Sequence, residues 1–480
     1  MPGAPAPTLR RRDSGSTRWR STSKRSRTSA SATRHARTWT RPRSARGSRR
    51  CAKRAPVDYE GVSRAKHAVL RELHAHFRSH HLAHDTQRAR EFRAFQSQAG
   101  DALRRHAGFE AMQEAAPGAS PAPEQDELPR RAEYYEYLQW QADRQLARAA
   151  ARCRKRGMAI GLYLDLAVSV DRSGSDAWSF PGCFAASASV GAPPDDFNLS
   201  GQDWGLPPLL PQALRERGHE PFVLALRSNM RHAGALRIDH VMGLMRLYWV
   251  PRGAGARDGA YVRYPLDELL AIVKLESHRN RCVVVGEDLG TVPDAVRAAL
   301  AAARVLSYRL LYFQRDASGE FLPPQAYPRD ALVSIGTHDL PTLAGWWQDR
   351  DIALRDGLGL FPDEATRARL HGERALDRLR LLEALARAGR LPDEADIETL
   401  AKGPLSAALI EAIHGWLAAC PSRLMMVQPE DWLGVVEQNN LPGTVDEHPN
   451  WRRKLPLTVE QLRADAAGAR LAAVLARERP

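Results

Sequence analysis

The sequence predicts an α/β protein whose parallel sheet is covered by helices, on three observations. From residue 158 onward, short apolar runs alternate with helical stretches. The runs are nearly continuous in hydrophobicity, the pattern of strands buried on both faces. Several of them end in acidic residues, as parallel strands do when their carboxyl ends carry chemistry.

The chain opens on a segment that does not match this body. Residues 1–54 hold 17 Lys and Arg against a single acid, Asp13, whereas the remainder holds 53 basic and 55 acidic residues. The net charge of +14 therefore belongs to the head alone. With so few large apolar residues the head cannot offset its ordering entropy, so it is expected to be disordered. Three readings stand for it: a solvated tail, a basic arm for polyanions, or GC-rich DNA translated out of frame.

A helical subdomain is expected over residues 55–157. "DYEGVSRAKHAVLRELHAHF" puts Val62, Val69, Leu70, Leu73 and Phe77 on one helical face. The histidines at 74–84 are irregularly spaced, which favours a solvated helix end over metal binding. A loop follows over 116–129. A second helix runs from about Pro129 to Arg156, with Gly157 as its C-terminal cap.

Residues 158–480 form the expected catalytic portion. Strands are predicted at 159–165, 235–239, 281–288, 307–313, 331–337 and 423–429, and helices at 211–231, 265–279, 293–303 and 458–477. A helix-rich block at about 362–418 lies within a helical insertion over about 350–420. Six strands are two fewer than a closed (β/α) barrel requires. The five cysteines are scattered and show no CxxC pairing, which argues against disulfides and structural zinc and favours a reducing, cytoplasmic compartment. No run of about 18 apolar residues predicts a membrane span. No glycine-rich phosphate loop is present.

The polar residues at the strand ends are Asp165, Arg237 with Asp239, Glu287 with Asp288, and His338 with Asp339; the sixth strand leads into Gln428, Glu430 and Asp431. One such acid is usually a helix N-cap. Four strands sharing the habit point to one catalytic rim. Asp239, Glu287 and Asp339 are spaced to fit strand–helix units, and crowded carboxylates separate into an acid and an ionised group, the pair that glycoside chemistry uses. Arg237 stands two residues before Asp239, on the same face of the strand, where its charge keeps Asp239 ionised. Aromatic residues such as Trp178, Phe184, Phe197, Trp204, Tyr261 and Trp346 fall in the intervening loops and suit sugar faces, about half of them being expected in the core.

"GALRIDHVMGLMRLYWVP", "VVVGEDLGTVP", "GTHDLPTLAGWW" and "ASVGAPPDDFNLSGQDWGLPP" closely resemble the amylomaltases, the 4-alpha-glucanotransferases of glycoside hydrolase family 77. The likeness covers about residues 56–460. It implies a TIM (β/α)8-type barrel with helical insertions, acting on maltooligosaccharides and alpha-1,4-glucans by a retaining double displacement. By this resemblance Asp239 is the nucleophile, Glu287 the general acid/base, and Asp339 a ligand of sugar hydroxyls that helps distort the ring. Arg237 and His338 bracket the reacting glucose, while Asp165, Gln202, Trp204, Asp288 and Asn440 are further sugar-binding positions. No metal or organic cofactor is implied.

The family's first two barrel strands, with an "NWGIGD"-like and an "SPYSPSSR"-like stretch, have no counterpart in this sequence. The expectation is thus a barrel lacking those two strands and carrying two open edges. Beside the transferase stand three alternatives: an alpha-1,4-glucan hydrolase, an inactive truncated remnant, and nucleic-acid binding. Nucleic acid is expected to touch only the basic head, nonspecifically.

Overall fold

The computed structural model describes residues 56–114, 127–194, 200–290, 292–392 and 396–479. The basic head, Cys51, most of the loop expected at 116–129, and Phe197 lie outside them. The chain divides into two compact units, Met1–Val284 and Val285–Pro480. That boundary falls inside a strand and has no mark in the composition.

The first unit begins with three helices, α1 (Tyr59–Phe77), α2 (Gln87–Glu114) and α3 (Glu127–Lys155). Asp58 caps α1 by accepting the Gly61 N–H at 2.8 Å. Helix α2 is kinked at Gly100, which takes φ 58°. Helix α3 ends as its sequence requires: Gly157 is left-handed at φ 75°, and the Met158 N–H reaches back to the Cys153 carbonyl. The three pack through an aromatic core in which the Phe77, Phe92 and Trp140 ring centroids lie 5.2–5.5 Å apart. This packing corrects the expectation for the histidines. His74 and His76 are buried: His74 lies where α1 meets α3, and the His76 ring stacks on that of His80 at 4.0 Å. The His74 ring sits against Tyr134 and Tyr137, with its Nε2 3.2 Å from Glu133.

Strands β1 (Tyr163–Leu166) and β4 (Ala235–Ile238) pair in parallel, and β7 (Val283–Gly286) lies beside β4. Strand β1 starts four residues later than expected because Gly161 is left-handed at φ 76°, a conformation no strand continues through. The helix expected over 211–231 is two helices, Pro211–Glu216 and Glu220–Met230, broken where Gly218 and His219 take φ 59° and 60°. An antiparallel sheet, absent from the expectations above, joins β2 (Ala188–Ala192), β3 (Gln202–Leu206), β5 (Arg246–Pro251) and β6 (Ala260–Arg263) in the order β3-β2-β5-β6. It holds Trp204, Trp249 and Tyr261.

In the second unit β8 (Ser307–Leu310), β9 (Ala331–Ser334) and β10 (Leu424–Met425) form a parallel set in the order β10-β9-β8. All are shorter than expected; the chain beyond Leu310 tightens into a 3₁₀ turn at Leu311–Phe313. Helices Arg350–Gly357, Glu364–Arg387, Ile397–Lys402 and Ala407–Ala418 fill the stretch expected to be a helical insertion. Val333, Ile335, Trp346, Trp347, Leu381 and Trp416 belong to one buried cluster of this unit. Trp346 and Trp347 are thus core, whereas Trp178 and Tyr261 are exposed.

Candidate active site

The predicted site residues fall in both units. In the first, the parallel register sets Asp165 of β1 opposite Arg237 of β4. Arg237 is 5% exposed. One nitrogen, Nη1, donates to Asp165 Oδ1 at 2.8 Å and Oδ2 at 2.9 Å, while Nη2 lies 2.8 Å from Asp239 Oδ1. A planar guanidinium with fixed donors can hold two carboxylates in this way, and a lysine cannot. Asp239 stands just past β4, with its own N–H bonded to the Leu166 carbonyl at 2.9 Å. The backbone is anchored and the carboxylate keeps about a quarter of its surface open, 28%.

His240 follows in a left-handed conformation, φ 48°. Burial pushes its imidazole below the usual range, against the opposing pull of Asp239, so it is uncharged at neutral pH. Arg237 therefore supplies the fixed positive charge for Asp239. The His240 ring meets Trp204 edge-on at 5.4 Å, and Trp204 Nε1 donates to Gln202 Oε1 at 3.1 Å. The antiparallel sheet thus delivers Gln202 and Trp204 to the end of β4. A cavity of about 140 Å³ in this unit is lined by Asp165, Asp239 and His240 together with Val168, Phe184 and Tyr264.

In the second unit Glu287 is the first residue beyond β7 and is half-buried. Asp288 is 4% exposed and occupied by protein donors: Tyr308 N–H at 2.8 Å, Arg297 at 3.0 Å, and Arg309 at 3.2 and 3.1 Å. His338 Nε2 lies 3.2 Å from Asp339 Oδ2, and Asn440 Nδ2 donates to the other oxygen of Asp339. The Trp451 ring stands 5.0 Å from that of His338. The structure so brings together Asp165, Arg237 and Asp239 in one unit, and His338, Asp339 and Asn440 in the other.

Behind the second group, Asp431 is 1% exposed and accepts the Leu343 N–H at 2.8 Å. Burial pushes its carboxyl up to about 7, with Glu430 adding to the shift. Thr342 Oγ1 donates to the Val435 and Val436 carbonyls, so the "THDLPTL" loop is tied to the 428–436 segment through both Thr342 and Leu343. Sequence reasoning gave no role to Arg297, Arg309 or Trp451. The available signal was weak: Arg309 is a lone cation inside an otherwise apolar strand.

Among the described residues, no group of three or more His, Cys, Asp or Glu is placed to hold a metal ion, and no helix is long and apolar enough to cross a membrane.

A model of the 4-alpha-glucanotransferase family matches residues 32–458, a span that begins inside the basic head, before the likeness read from the motifs. The 4-alpha-glucanotransferase of Haemophilus influenzae is 44% identical over 323 residues, 67% of this chain and 46% of that protein. That of Mycobacterium tuberculosis is 41% identical over 350 residues, covering 71% of this chain and 47% of that protein. The crystal structure of amylomaltase from Corynebacterium glutamicum superposes with a TM-score of 0.79 at 34% identity, over 88% of this chain and 60% of that one. Amylomaltase from Streptococcus agalactiae, solved in complex with acarbose, gives 0.66 at 21% identity, a likeness of fold, over 88% of this chain and 80% of that one. The chain spans about half the length of the curated relatives it matches.

Proposed function

Since the chain belongs to the 4-alpha-glucanotransferase family, we propose that it transfers segments of alpha-1,4-glucan to a 4-hydroxyl of glucose or another glucan by a retaining double displacement. The observation that carries this reading is the Arg237 clamp, which holds Asp239 at 2.8 Å at the end of β4 while leaving its carboxylate open. A carboxylate oriented by a buried guanidinium and still open to solvent is placed to act as a nucleophile.

Asp239 attacks the anomeric carbon as the glycosidic C–O bond breaks, and Glu287 gives its proton to the departing oxygen. Glu287 then takes the proton of the incoming 4-hydroxyl, whose oxygen displaces Asp239. Asp339, set between His338 and Asn440, binds sugar hydroxyls and favours the distorted ring. Arg237 and His338 flank the reacting glucose, and Asp165, Gln202 and Trp204 extend the sugar contacts, with the indole offering an apolar face. Asn440 acts through Asp339. The oxygens of Asp288 are already engaged by Tyr308, Arg297 and Arg309.

We read the six strands of the two three-stranded sets as part of a (β/α)8-type barrel lacking its first two strands. The likeness to the Corynebacterium amylomaltase supports the barrel. The substrates are maltooligosaccharides and alpha-1,4-glucans, no organic cofactor takes part, and the location is cytoplasmic, a reading supported by the free thiols of Cys153, Cys183, Cys282 and Cys420.

The test is incubation of the purified chain with maltotriose. Glucose together with maltodextrins longer than the substrate is the expected product set. Glucose and maltose alone would mark a hydrolase, and unchanged maltotriose would overturn the proposal. Asp239→Asn should retain the thermal midpoint within a few degrees and lose all measurable turnover.

A further inference from the structure

We propose that Asp288 is the positioning residue of the acid/base carboxylate and not a sugar ligand. The proposal rests on the reading of Glu287 given above. Glu287 leaves β7 at its carboxyl end, and adjacent Cα atoms are only about 3.8 Å apart. Whatever fixes residue 288 therefore fixes the peptide from which the Glu287 side chain departs.

Asp288 is fixed by two elements. From β8 the Tyr308 N–H donates to Oδ1 at 2.8 Å, and Arg309 Nη1 donates to both oxygens at 3.2 and 3.1 Å. From the helix Asp294–Ala302, Arg297 donates to Oδ2 at 3.0 Å. An isolated parallel bridge joins Val285 of β7 to Leu306, just before β8, and the Gly286 N–H donates to the Leu306 carbonyl at 2.8 Å. The carboxylate of Asp288 extends that link two residues further, past Glu287, by accepting the Tyr308 N–H. These four contacts use the acceptor directions that a carboxylate has, and none is left for a sugar hydroxyl. An acid/base group misplaced by about 1 Å costs on the order of 100-fold in rate, so a residue that aims Glu287 acts on kcat.

Glucosyl fluorides isolate the role. Fluoride leaves as an anion and needs no proton, so the first displacement from alpha-maltosyl fluoride bypasses Glu287 as an acid. Azide carries no proton to remove, so it takes the glycosyl group from Asp239 and bypasses Glu287 as a base. In Asp288→Asn we expect kcat on maltotriose to fall about 10- to 100-fold with KM within about twofold. Turnover of alpha-maltosyl fluoride with azide should stay within about threefold of the wild type. Arg309→Met, which removes the side-chain donor from β8 and leaves the Tyr308 N–H, should show the same split and serves if Asp288→Asn does not fold. Equal losses on both substrates would reduce Asp288 to a fold-holding residue and overturn the proposal. A rise in KM alone would make it a sugar ligand and would overturn the proposal equally. Glu287→Gln is the benchmark. If that variant also loses fluoride turnover in azide, the reading of Glu287 fails, and the positioning assignment falls with it.

Discussion

Arg237 carries one positive charge between two carboxylates, and its position in the sequence hides half of that. Asp239 is two residues away and readable from strand periodicity. Asp165 is 72 residues away and becomes a partner only through the β1–β4 register. Replacing the clamp should be costly in both stability and rate. Arg237→Met leaves two partly exposed carboxylates facing each other. The loss expected is about 1–3 kcal/mol, less than for a fully buried pair because both carboxylates touch water. Arg237→Lys should recover part of the stability and little of the turnover, since an ammonium cannot serve both partners in fixed geometry. Urea unfolding and maltotriose turnover of the two variants check this; full activity in Arg237→Lys would show that charge alone suffices. Arg297 and Arg309 lie at the other end of legibility. Their meaning depends on one carboxylate, Asp288, that the sequence places beside a catalytic candidate and the structure places on them.

Elements were legible where they were buried. Each of the six apolar runs contains a strand, because a parallel strand covered on both faces is apolar throughout. The sheet β3-β2-β5-β6 escaped because its strands share no one burial pattern: β2 is almost wholly buried, β3 alternates between half-buried and exposed before its last residue, and β6 is mostly exposed. Short runs of that kind lack a period strong enough to separate from loop. Close backbone approach was equally silent. A Cβ on Gly234 would lie 1.7 Å from the Ile160 carbonyl oxygen, so the chain can pass beside β1 there only without a side chain. Gly234→Ala is therefore expected to cost about 1–3 kcal/mol, by pushing β4 off the turn that precedes β1. Chemical denaturation measures it, and a neutral result would mean that the Ile160 turn moves freely.

For the molecule as a whole, the motifs pointed to the family that the comparisons bear out, whereas the composition hid where the compact units divide. Acid–base linkage gives the whole fold a signature. The carboxyl of Asp431 sits at about 7 in the folded chain, against about 3.9 unfolded. Between those values the folded state holds the extra proton, so this group's contribution falls as pH rises, by at most about 1.4 kcal/mol per pH unit, and is level above about 7. Asp431→Asn removes the slope and keeps an acceptor for the Leu343 N–H. The variant should match the wild type near pH 4 and exceed it increasingly up to about pH 7. Urea unfolding across that range yields the difference curve; parallel curves would mean that Asp431 stays ionised in the fold.

The shared guanidinium between Asp165 and Asp239 also bears on descent. A change at either carboxylate alters what Arg237 must neutralise, so the fitness of a substitution at one position depends on the occupant of the other two. The three positions form one heritable unit although 72 residues of chain separate two of them. A lineage leaving this chemistry would be expected to abandon them together, passing first through a change at Arg237 that makes both acids dispensable.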